Sequence, residues 1–386
     1  MVSVLEVGEA QAADLRRSAL RLVELGAAAR WRGPDPYDAL FSRWPGPLVG
    51  GRRRRQALIQ LHARSPVDVR RLYRRRHSLV PKAPALLGQA AVRLWRADGS
   101  ERPRELAEDA IETLVSETLP GMPAWGYPWD TQTRWSYYPG GGPNIVATTF
   151  SACALAEAGD AMDRLDWRRR AEEAAAWVGR ELYLPAGGFF AYHGRSERLI
   201  HNANLLGAAL VHSLAPLEPT TATAVRTATS RTLDAQRPDG TWPYGDGEGL
   251  DWVDSFHTGY VLASLRRLRD VDPRVSPALE RGARAYADFF DPKGRPRLWR
   301  DSAYPEDSHS AGTGLTVLTP LAREGLVPRS IVANLARYTS ERLLHRDGRA
   351  VFRRGRLGAT SVRYLRWCDA QVALGFATAA SLGDEA

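Results

Sequence analysis

The sequence predicts an all-α fold in which helical hairpins close into a ring, an α/α toroid. A loop rich in Gly and aromatic residues, followed by Asp, Asn or His at the front of a helix, recurs along the chain. Equivalent points of these blocks, His201, His257, His309 and Cys368, lie about 50–60 residues apart, the upper edge of the range for helical repeats. Helices rich in small residues also alternate with charged ones, as inner and outer helices do in such arrays. Polar groups at the same end of successive inner helices favour a closed ring over an open solenoid.

The composition predicts a well-packed protein. The chain has 386 residues, of which 44% are hydrophobic and 25% charged. No apolar run approaches the roughly 18 residues of a membrane span. The start of the chain lacks the order of a signal peptide, and two cysteines are too few for a disulfide framework. We therefore expect a cytoplasmic protein, with peripheral membrane contact left open.

The net charge of +9 comes almost entirely from arginine. Such a charge favours an anionic partner, or else reflects arginines on solvated faces. The arginine-rich stretches at 52–55 and 70–76 lie outside the repeated blocks and have no aromatic platform beyond Tyr73. We therefore expect a carbohydrate or another small anionic substrate as partner, and not nucleic acid.

The N-terminal part of the chain predicts one helix and a connector. Residues 1 to about 30 have an apolar stripe that runs from Leu15 to Leu25. Prolines and glycines then interrupt residues 34–47. We predict a division into residues 1–50, a helix and its connector, and residues 51–386, the toroid.

The remaining elements follow the same alternation. Helices are predicted within 52–94, where prolines interrupt them, and at 101–119, before Pro120 and Gly121. From about Pro143 to Ala380, small-residue helices such as NANLLGAALVHSL alternate with charged ones such as TATAVRTATSRTLDAQ. Strands are expected only as short pieces in the loops, for instance within 188–192.

Several motifs resemble known toroid families. DAQRPDGTWPYG, from Asp234 to Gly245, resembles the Gln-x-x-x-Gly-x-Trp signature of terpene cyclases and prenyltransferases. AWGYPWDTQTR (124–134), IHNANLLGAAL (200–210) and WVDSFHTGYVL (252–262) resemble a bacterial toroid family associated with polysaccharide biosynthesis. Its members are often labelled prenyltransferase-like or misnamed aminolevulinate dehydratases. The resemblance covers about residues 75–380 and implies an architecture related to six-hairpin glycosidases, sugar epimerases and uronate lyases. It implies no single reaction, because toroids host many chemistries.

Two clusters of carboxylate and imidazole groups are the candidate catalytic residues. Asp254 and His257 stand three residues apart at a helix start, so both can face one side. A carboxylate there can fix the imidazole tautomer and raise its basicity. The second cluster consists of Glu306, Asp307 and His309, beside glycines that leave room for a ligand, and Asp307 and His309 are its catalytic candidates. In both clusters the alternative is that the aspartate caps the helix.

Polar and aromatic residues in the same blocks are the candidate substrate-binding groups. Aromatic rings there would stack on sugars or wall a hydrocarbon pocket, and amides would bind hydroxyls or cap helices. Arginines would hold a carboxylate or phosphate, or point outward to solvent. The candidates are Trp125, Trp129, Asp130, Gln132, Arg134, His201, Asn202, Asn204, Trp242, Tyr244, Arg363, Arg366 and Asp369.

No cofactor is expected from the sequence. Zinc is the lesser alternative, because Cys368, Asp369, His309 and His257 are zinc-ligand types, although no pair has the usual zinc spacing. Neither a Gly-rich phosphate loop nor a GxSxG or HExxH motif is present.

The sequence predicts a carbohydrate-active protein of polysaccharide or glycoconjugate biosynthesis. It would act on a sugar, with acidic sugars included, by Asp/His acid–base chemistry. One alternative is a terpenoid cyclase or prenyltransferase-like enzyme, which the missing DxDD and DDxxD motifs disfavour. The other is a glycan-binding module without catalysis.

Overall fold

Thirteen α-helices make up most of the computed structural model, which describes residues 7–41, 48–65, 77–133 and 136–383. A 3-10 turn at Asp38–Phe41 and a π-helical turn at Leu365–Asp369 add to them. In chain order the helices are α1 Glu9–Ala28, α2 Arg52–Arg64, α3 Lys82–Asp98, α4 Glu101–Ser116, α5 Ile145–Met162, α6 Leu165–Glu181, α7 His201–Leu214, α8 Pro219–Leu233, α9 Ser255–Arg267, α10 Val275–Ala287, α11 Ser308–Arg323, α12 Arg329–Arg342 and α13 Ala370–Ala380.

Twelve of these helices form six hairpins arranged in a ring. Five hairpins join consecutive helices, from α3–α4 to α11–α12, and the sixth joins α13 to α1. Each odd-numbered helix from α3 to α13 contacts the next one, and α13 contacts α3, which closes the inner ring. The predicted all-α toroid is therefore confirmed, and the expected period corresponds to one hairpin.

Burial explains the alternation of helix composition. The inner helix α7 buries its residues from His201 to Val211 without interruption, whereas the outer helix α6 buries only a stripe that includes Trp167 and Val178. An inner helix touches its own outer helix and two inner neighbours, so small residues are needed all round it. At the closest approach, a Cβ on Gly312 of α11 would lie 2.3 Å from the carbonyl of Gln371.

The helix α1 completes the sixth hairpin. Its buried stripe, which includes Leu15, Ala19 and Leu22, faces α13 and α3. The predicted division of the chain at residue 50 stays a prediction, and α1 lies on its N-terminal side while packing against the ring. No helix of the described ranges has the length and apolar character that a membrane crossing requires.

The strands are short and lie in the loops, as predicted. They pair antiparallel as β1 with β2, β3 with β4, β5 with β6, and β8 with both β7 and β9. Their bounds are β1 Arg32–Gly33, β2 Ser78–Leu79, β3 Thr131–Gln132, β4 Tyr137–Tyr138, β5 Tyr183–Leu184, β6 Phe189–Phe190, β7 Glu306–Asp307, β8 Arg353–Gly355 and β9 Gly358–Ala359.

A repeated backbone hydrogen bond gathers the inner-helix N-termini at one end of the ring. The first N–H groups of a helix have no partner within the helix. Here one of them binds the loop that precedes the next inner helix: Ile145 N to Tyr192 O at 2.9 Å, His201 N to Tyr244 O at 3.0 Å, Ser255 N to Leu298 O at 3.1 Å and Ser308 N to Phe352 O at 3.3 Å. We call this end, with its loops, the mouth.

Candidate active site at the mouth of the ring

The front of α9 holds a carboxylate and an imidazole in direct contact. Asp254 is the N-cap residue, and its Oδ1 accepts the backbone N–H of His257 at 2.9 Å. Its Oδ2 lies 2.8 Å from Nδ1 of His257. Asp254 is buried, whereas the His257 side chain is 22% exposed. Capping and pairing therefore occur together, and both functions proposed for Asp254 use the same carboxylate.

This contact fixes the His257 tautomer. The carboxylate accepts the proton on Nδ1, so Nε2 of the neutral ring carries a lone pair. Among the described residues, no group makes a hydrogen bond to Nε2 of His257. The Nε2 lone pair can therefore accept a proton, since no described residue occupies it.

Aromatic rings surround His257. Tyr244 stacks on Trp252 with centroids 4.2 Å apart and planes 13° from parallel. The two rings meet His257 edge-on at 4.7 and 5.4 Å. Aromatic faces next to a polar, oriented side chain are typical of sites that bind sugars or other small molecules.

A small cavity opens beside this cluster. Its volume is about 10 Å³, and its lining includes Asn202, Trp242, Tyr244, Asp254 and His257. Asn202 is 3% exposed, and its Oδ1 has no hydrogen-bond partner within the described ranges. A buried amide oxygen without a partner is costly, so Asn202 is suited to accept a hydrogen bond from a ligand.

A second imidazole lies behind Phe256. The centroid of the Phe256 ring lies 4.2 Å from that of His257 and 4.3 Å from that of His309, and the centroid of the Trp367 ring lies 4.5 Å from that of His309. His309 is 2% exposed. Burial, together with the positive charges of Lys82 and Arg366, lowers the pKa of His309 well below its usual value, so this ring is neutral at neutral pH.

The ring centre holds a buried lysine. Lys82, at the front of α3, donates to Tyr260 Oη at 2.7 Å, and its Nζ lies 4.1 Å from the centre of the Phe150 ring. Tyr260 Oη in turn lies 2.6 Å from Nε2 of His309. Burial lowers the pKa of Lys82 well below its usual value and raises that of Tyr260. Lys82, Tyr260 and His309 therefore form one connected polar chain.

Two arginines at the mouth are paired with buried aspartates. Arg366 is 6% exposed, and its Nε donates to Asp35 at 2.5 Å. Arg353 donates from Nε to Oδ2 of Asp307 at 2.8 Å. Nη1 and Nη2 of Arg366 make no hydrogen bond to any described residue, and its Cζ lies 5.2 Å from the centre of the Tyr127 ring and 5.1 Å from that of Trp367. Arg366 thus retains donors for an anionic group.

The predicted catalytic residues lie at the same end of the ring but differ in their surroundings. Asp254, His257 and His309 belong to one connected cluster. Asp307 is fully buried, with Oδ1 accepting Ser310 N at 2.9 Å and Oδ2 accepting Arg353. Its contacts are those of a helix cap and an ion pair, which is the alternative that the sequence left open.

Three of the predicted binding tryptophans and tyrosines are buried in the wall. Trp125 donates from Nε1 to Leu114 O at 2.8 Å, and Trp242 donates to Thr232 O at 2.9 Å, although Trp242 still borders the cavity. Trp129 is 2% exposed and stacks on Tyr127. Tyr244 is the predicted aromatic residue that contacts His257.

Most of the polar binding candidates are bonded to other protein groups, and Asn202 is the one that lines the cavity. Asp130 accepts from Tyr137 and from Gly140 N, and Gln132 accepts from Arg55. His201 bonds Thr232 and lies 3.3 Å from Asp246, while Asn204 bonds Phe190 N and Ala228 O. Arg363 is exposed and pairs with Asp347, whereas Asp369 is buried against Arg349 and Ala350 N. Arg134 lies outside the described residues.

The lesser prediction of zinc has no support in the described part of the chain. No group of three or more His, Cys, Asp or Glu residues there is arranged to hold a metal ion. Burial raises the pKa of the Cys368 thiol well above its usual value, which disfavours the thiolate that zinc requires.

Sequence reasoning missed Lys82, Tyr260, Trp252 and Asp35. Lys82 carried a readable signal, because it stands in the otherwise apolar segment PKAPALLG and is one of only two lysines in the chain. Tyr260 follows His257 by three residues, so it shares a helix face with the predicted base. Asp35 gave no signal, because its contact with Arg366 joins two ends of the chain.

No protein-family model matches the chain, and no curated protein is detectably similar to it in sequence. Solved carbohydrate-active enzymes do share its structure. A cellobiose 2-epimerase from Spirochaeta thermophila aligns over 79% of this chain and 86% of its own, with a TM-score of 0.58 and 14% identity. An unsaturated glucuronyl hydrolase specific for heparin aligns over 98% of both chains, with a TM-score of 0.64 and 11% identity.

A GH76 α-mannanase from Bacteroides thetaiotaomicron is also similar, over 81% of this chain and 88% of its own, with a TM-score of 0.59 and 12% identity. None of these three proteins is a terpene cyclase or a prenyltransferase. Identities this low carry the fold and no more. The chain therefore has the α/α-toroid fold of the six-hairpin glycosidases.

Proposed function

We propose that the chain is an enzyme that acts on a carbohydrate, with His257 exchanging protons with the substrate and Asp254 orienting it. The observation that carries this proposal is the 2.8 Å contact between Asp254 Oδ2 and His257 Nδ1, beside an aromatic-walled cavity. The carboxylate stabilises the imidazolium that forms when Nε2 accepts a proton. The fold shared with carbohydrate-active enzymes supports the choice of substrate class.

The surroundings favour proton transfer over glycosidic hydrolysis. Most glycosidases use two carboxyl groups that flank the bond they cleave. Here Asp254 is bonded to His257, and Asp307 is bonded to Arg353. An imidazole base with a second imidazole, His309, across the Phe256 ring suits removal of a proton from a sugar carbon beside a carbonyl, as in epimerisation, isomerisation or elimination.

The binding groups fit a sugar ring that carries an acidic substituent. The Tyr244–Trp252 pair offers an aromatic face, and the free Oδ1 of Asn202 can accept from a hydroxyl. The Nη atoms of Arg366 can hold a carboxylate or another anion. A role in polysaccharide or glycoconjugate biosynthesis, which the sequence resemblance implies, is part of the same proposal.

The proposal is tested by incubating the purified protein with neutral and acidic sugars, and separately with prenyl diphosphates, and following products by NMR. Asp254→Asn and His257→Gln should each lower the turnover of a sugar by about a hundredfold or more. His212→Gln is the matched control, because His212 also pairs with an aspartate, Asp270 at 3.0 Å, but lies in the last turn of α7, away from the mouth.

The outcomes separate the candidate functions. Sugar turnover that is lost in His257→Gln and kept in His212→Gln supports the proposal. Equal turnover in the wild type and His257→Gln contradicts the assignment of His257. Sugar binding without turnover favours a glycan-binding module, and conversion of a prenyl diphosphate favours the terpenoid alternative.

A further inference from the structure

The lysine at the ring centre is unusual for this chain. Of its 53 lysine and arginine residues, only Lys82 and Lys293 are lysines. Lys82 is 2% exposed, and no carboxylate of the described residues lies within ion-pair distance of it. An arginine cannot give up its proton in a protein, whereas a buried lysine can. A chain that uses arginine almost everywhere thus places a titratable amine at a buried position, in contact with side chains of α5 and α9.

The three partners of the Tyr260 hydroxyl determine which group donates in each hydrogen bond. Its hydroxyl lies 2.7 Å from Lys82 Nζ, 3.1 Å from Gln371 Nε2 and 2.6 Å from His309 Nε2. A phenol has one hydrogen to donate and two lone pairs that accept. A protonated Lys82 and the Gln371 amide nitrogen only donate, and Gln371 is oriented by Thr313, whose hydroxyl faces Oε1 at 3.4 Å. While Lys82 is protonated, the hydrogen of Tyr260 therefore goes to His309.

This direction sets the His309 tautomer. If Nε2 accepts from Tyr260, the ring hydrogen is on Nδ1. Nδ1 of His309 is buried and has no hydrogen-bond partner among the residues that the structure describes. The hydrogen-bonded chain from Lys82 through Tyr260 thus ends at His309, whose Nδ1–H donates to no described residue and lies beside Phe256 and Trp367.

We propose that Lys82, Tyr260 and His309 form a proton relay that serves the second acid–base group of the site. His309 gives its Nδ1 proton to the substrate, Tyr260 passes its hydroxyl proton to Nε2 of His309, and Lys82 passes an ammonium proton to Tyr260. Lys82 is left as a neutral amine, Tyr260 regains its hydrogen, and His309 stays neutral with its hydrogen now on Nε2. The reverse sequence returns the proton to Lys82 and the hydrogen of His309 to Nδ1. The proposal rests on the proposed function, because it presumes a substrate at His309.

The charges that face the relay agree with these directions. His309 is faced by Lys82 from α3, His257 from α9, Arg353 from β8 and Arg366 from the π-helical turn. These groups disfavour an imidazolium, so His309 serves as a neutral donor that is reprotonated from behind. Lys82 itself is faced by Arg366, which favours release of its proton, and by Asp35, which opposes it.

The hydrogen-bond pattern can be tested without a substrate. Lysine labelled with ¹³C and ¹⁵N gives two side-chain signals, and Lys293→Arg leaves that of Lys82 alone. We expect the pKa of Lys82 to lie well below the usual value of a lysine, because its amine is buried. The His309 ring nitrogens, assigned by their loss in His309→Gln, should show the proton on Nδ1. Tyr260→Phe keeps the ring and should move His309 away from this tautomer.

A pKa of Lys82 at the usual value of a lysine, or a wild-type His309 that carries its proton on Nε2, would overturn the relay.

A second experiment tests the transfer of protons. With the sugar that the wild type converts, Lys82→Arg and Tyr260→Phe should each lower kcat by about tenfold or more, change KM little and alter the pH profile. Lys82→Arg keeps the positive charge and loses the transferable proton. A kcat for this variant equal to that of the wild type, with the fold intact by thermal unfolding, would reject the relay. A wild type that turns over no sugar while the NMR pattern holds would instead reject the proposed function.

Discussion

The close contact of α11 and α13 predicts opposite effects of the same substitution at two glycines. A Cβ at Gly312 would lie 2.3 Å from both the carbonyl carbon and oxygen of Gln371 and 2.7 Å from the nitrogen of Val372. These are backbone atoms, which cannot rotate away. A Cβ at Gly179 of α6 would meet only the methyl groups of Val211, at 3.8 Å. Gly312→Ala should therefore destabilise the ring, whereas Gly179→Ala should not.

The magnitude follows from the distances. Carbon atoms pack best at about 3.5–4.0 Å, so Gly312→Ala must push the two helices apart by roughly 1 Å. Overpacking of this kind typically costs about 1–3 kcal/mol. Replacing Gly by Ala inside a helix returns about 1 kcal/mol, because the unfolded chain loses backbone freedom. We expect Gly312→Ala to lower the free energy of unfolding by up to about 2 kcal/mol, and Gly179→Ala to raise it by about 0.5–1 kcal/mol.

Equilibrium unfolding in urea measures both values. Each variant should keep the wild-type dependence on denaturant concentration, so that a shift of the midpoint reports stability alone. A Gly312→Ala protein at least as stable as the wild type would refute the close packing of α11 on α13. A Gly179→Ala protein destabilised as strongly as Gly312→Ala would show that the effect has another cause.

Three further predictions concern the mouth and its wall. Trp252→Ala removes the ring that stacks on Tyr244, so sugar binding should weaken about tenfold, or about 1.4 kcal/mol. Calorimetric titration measures the affinity, and an unchanged value would show that this aromatic face does not bind the sugar. Arg366→Lys keeps a cation beside Asp35 but loses the Nη pair, so affinity should fall for acidic sugars and not for neutral ones. Burial raises the pKa of Asp369 from 3.8 to about 6, so its contribution to stability is present below pH 3.8 and is lost as the pH rises to about 6. The free energy of unfolding of the wild type should therefore fall relative to Asp369→Asn, by about 3 kcal/mol between pH 3.5 and 7 in urea titrations, and a constant difference would contradict the shift.

The ring could be predicted from the sequence because its determinants are local and repeated. The alternation of segments such as 201–214 and 219–233 reflects burial on all sides against burial on one side. The sequence does not reveal that α1 completes the ring, because its contact with α13 joins segments more than 300 residues apart. The connector after α1 is the basis of the predicted boundary at residue 50, which stays a prediction, and α1 itself packs against α13 and α3.

In the candidate site, too, local contacts could be predicted from the sequence and long-range contacts could not. Asp254 and His257 could be identified because three residues on one helix suffice to bring them together. Lys82 and Tyr260 are 178 residues apart, so their contact depends on closure of the ring. The tryptophans could not be ranked, because whether an indole stacks on a ligand or bonds a carbonyl, as Trp125 and Trp242 do, depends on the neighbouring helix.

Exchange of a carbon-bound sugar hydrogen with solvent tests the proton-transfer account most directly. The sugar that the wild type converts would be incubated in D₂O, and loss of the carbon-bound proton would be followed by NMR. Wild type and His212→Gln should exchange this hydrogen at the same rate. The exchange rate of His257→Gln should be lower by about a hundredfold or more. Conversion of the sugar without any incorporation of deuterium, or equal exchange in His257→Gln, would contradict proton transfer by the Asp254–His257 pair.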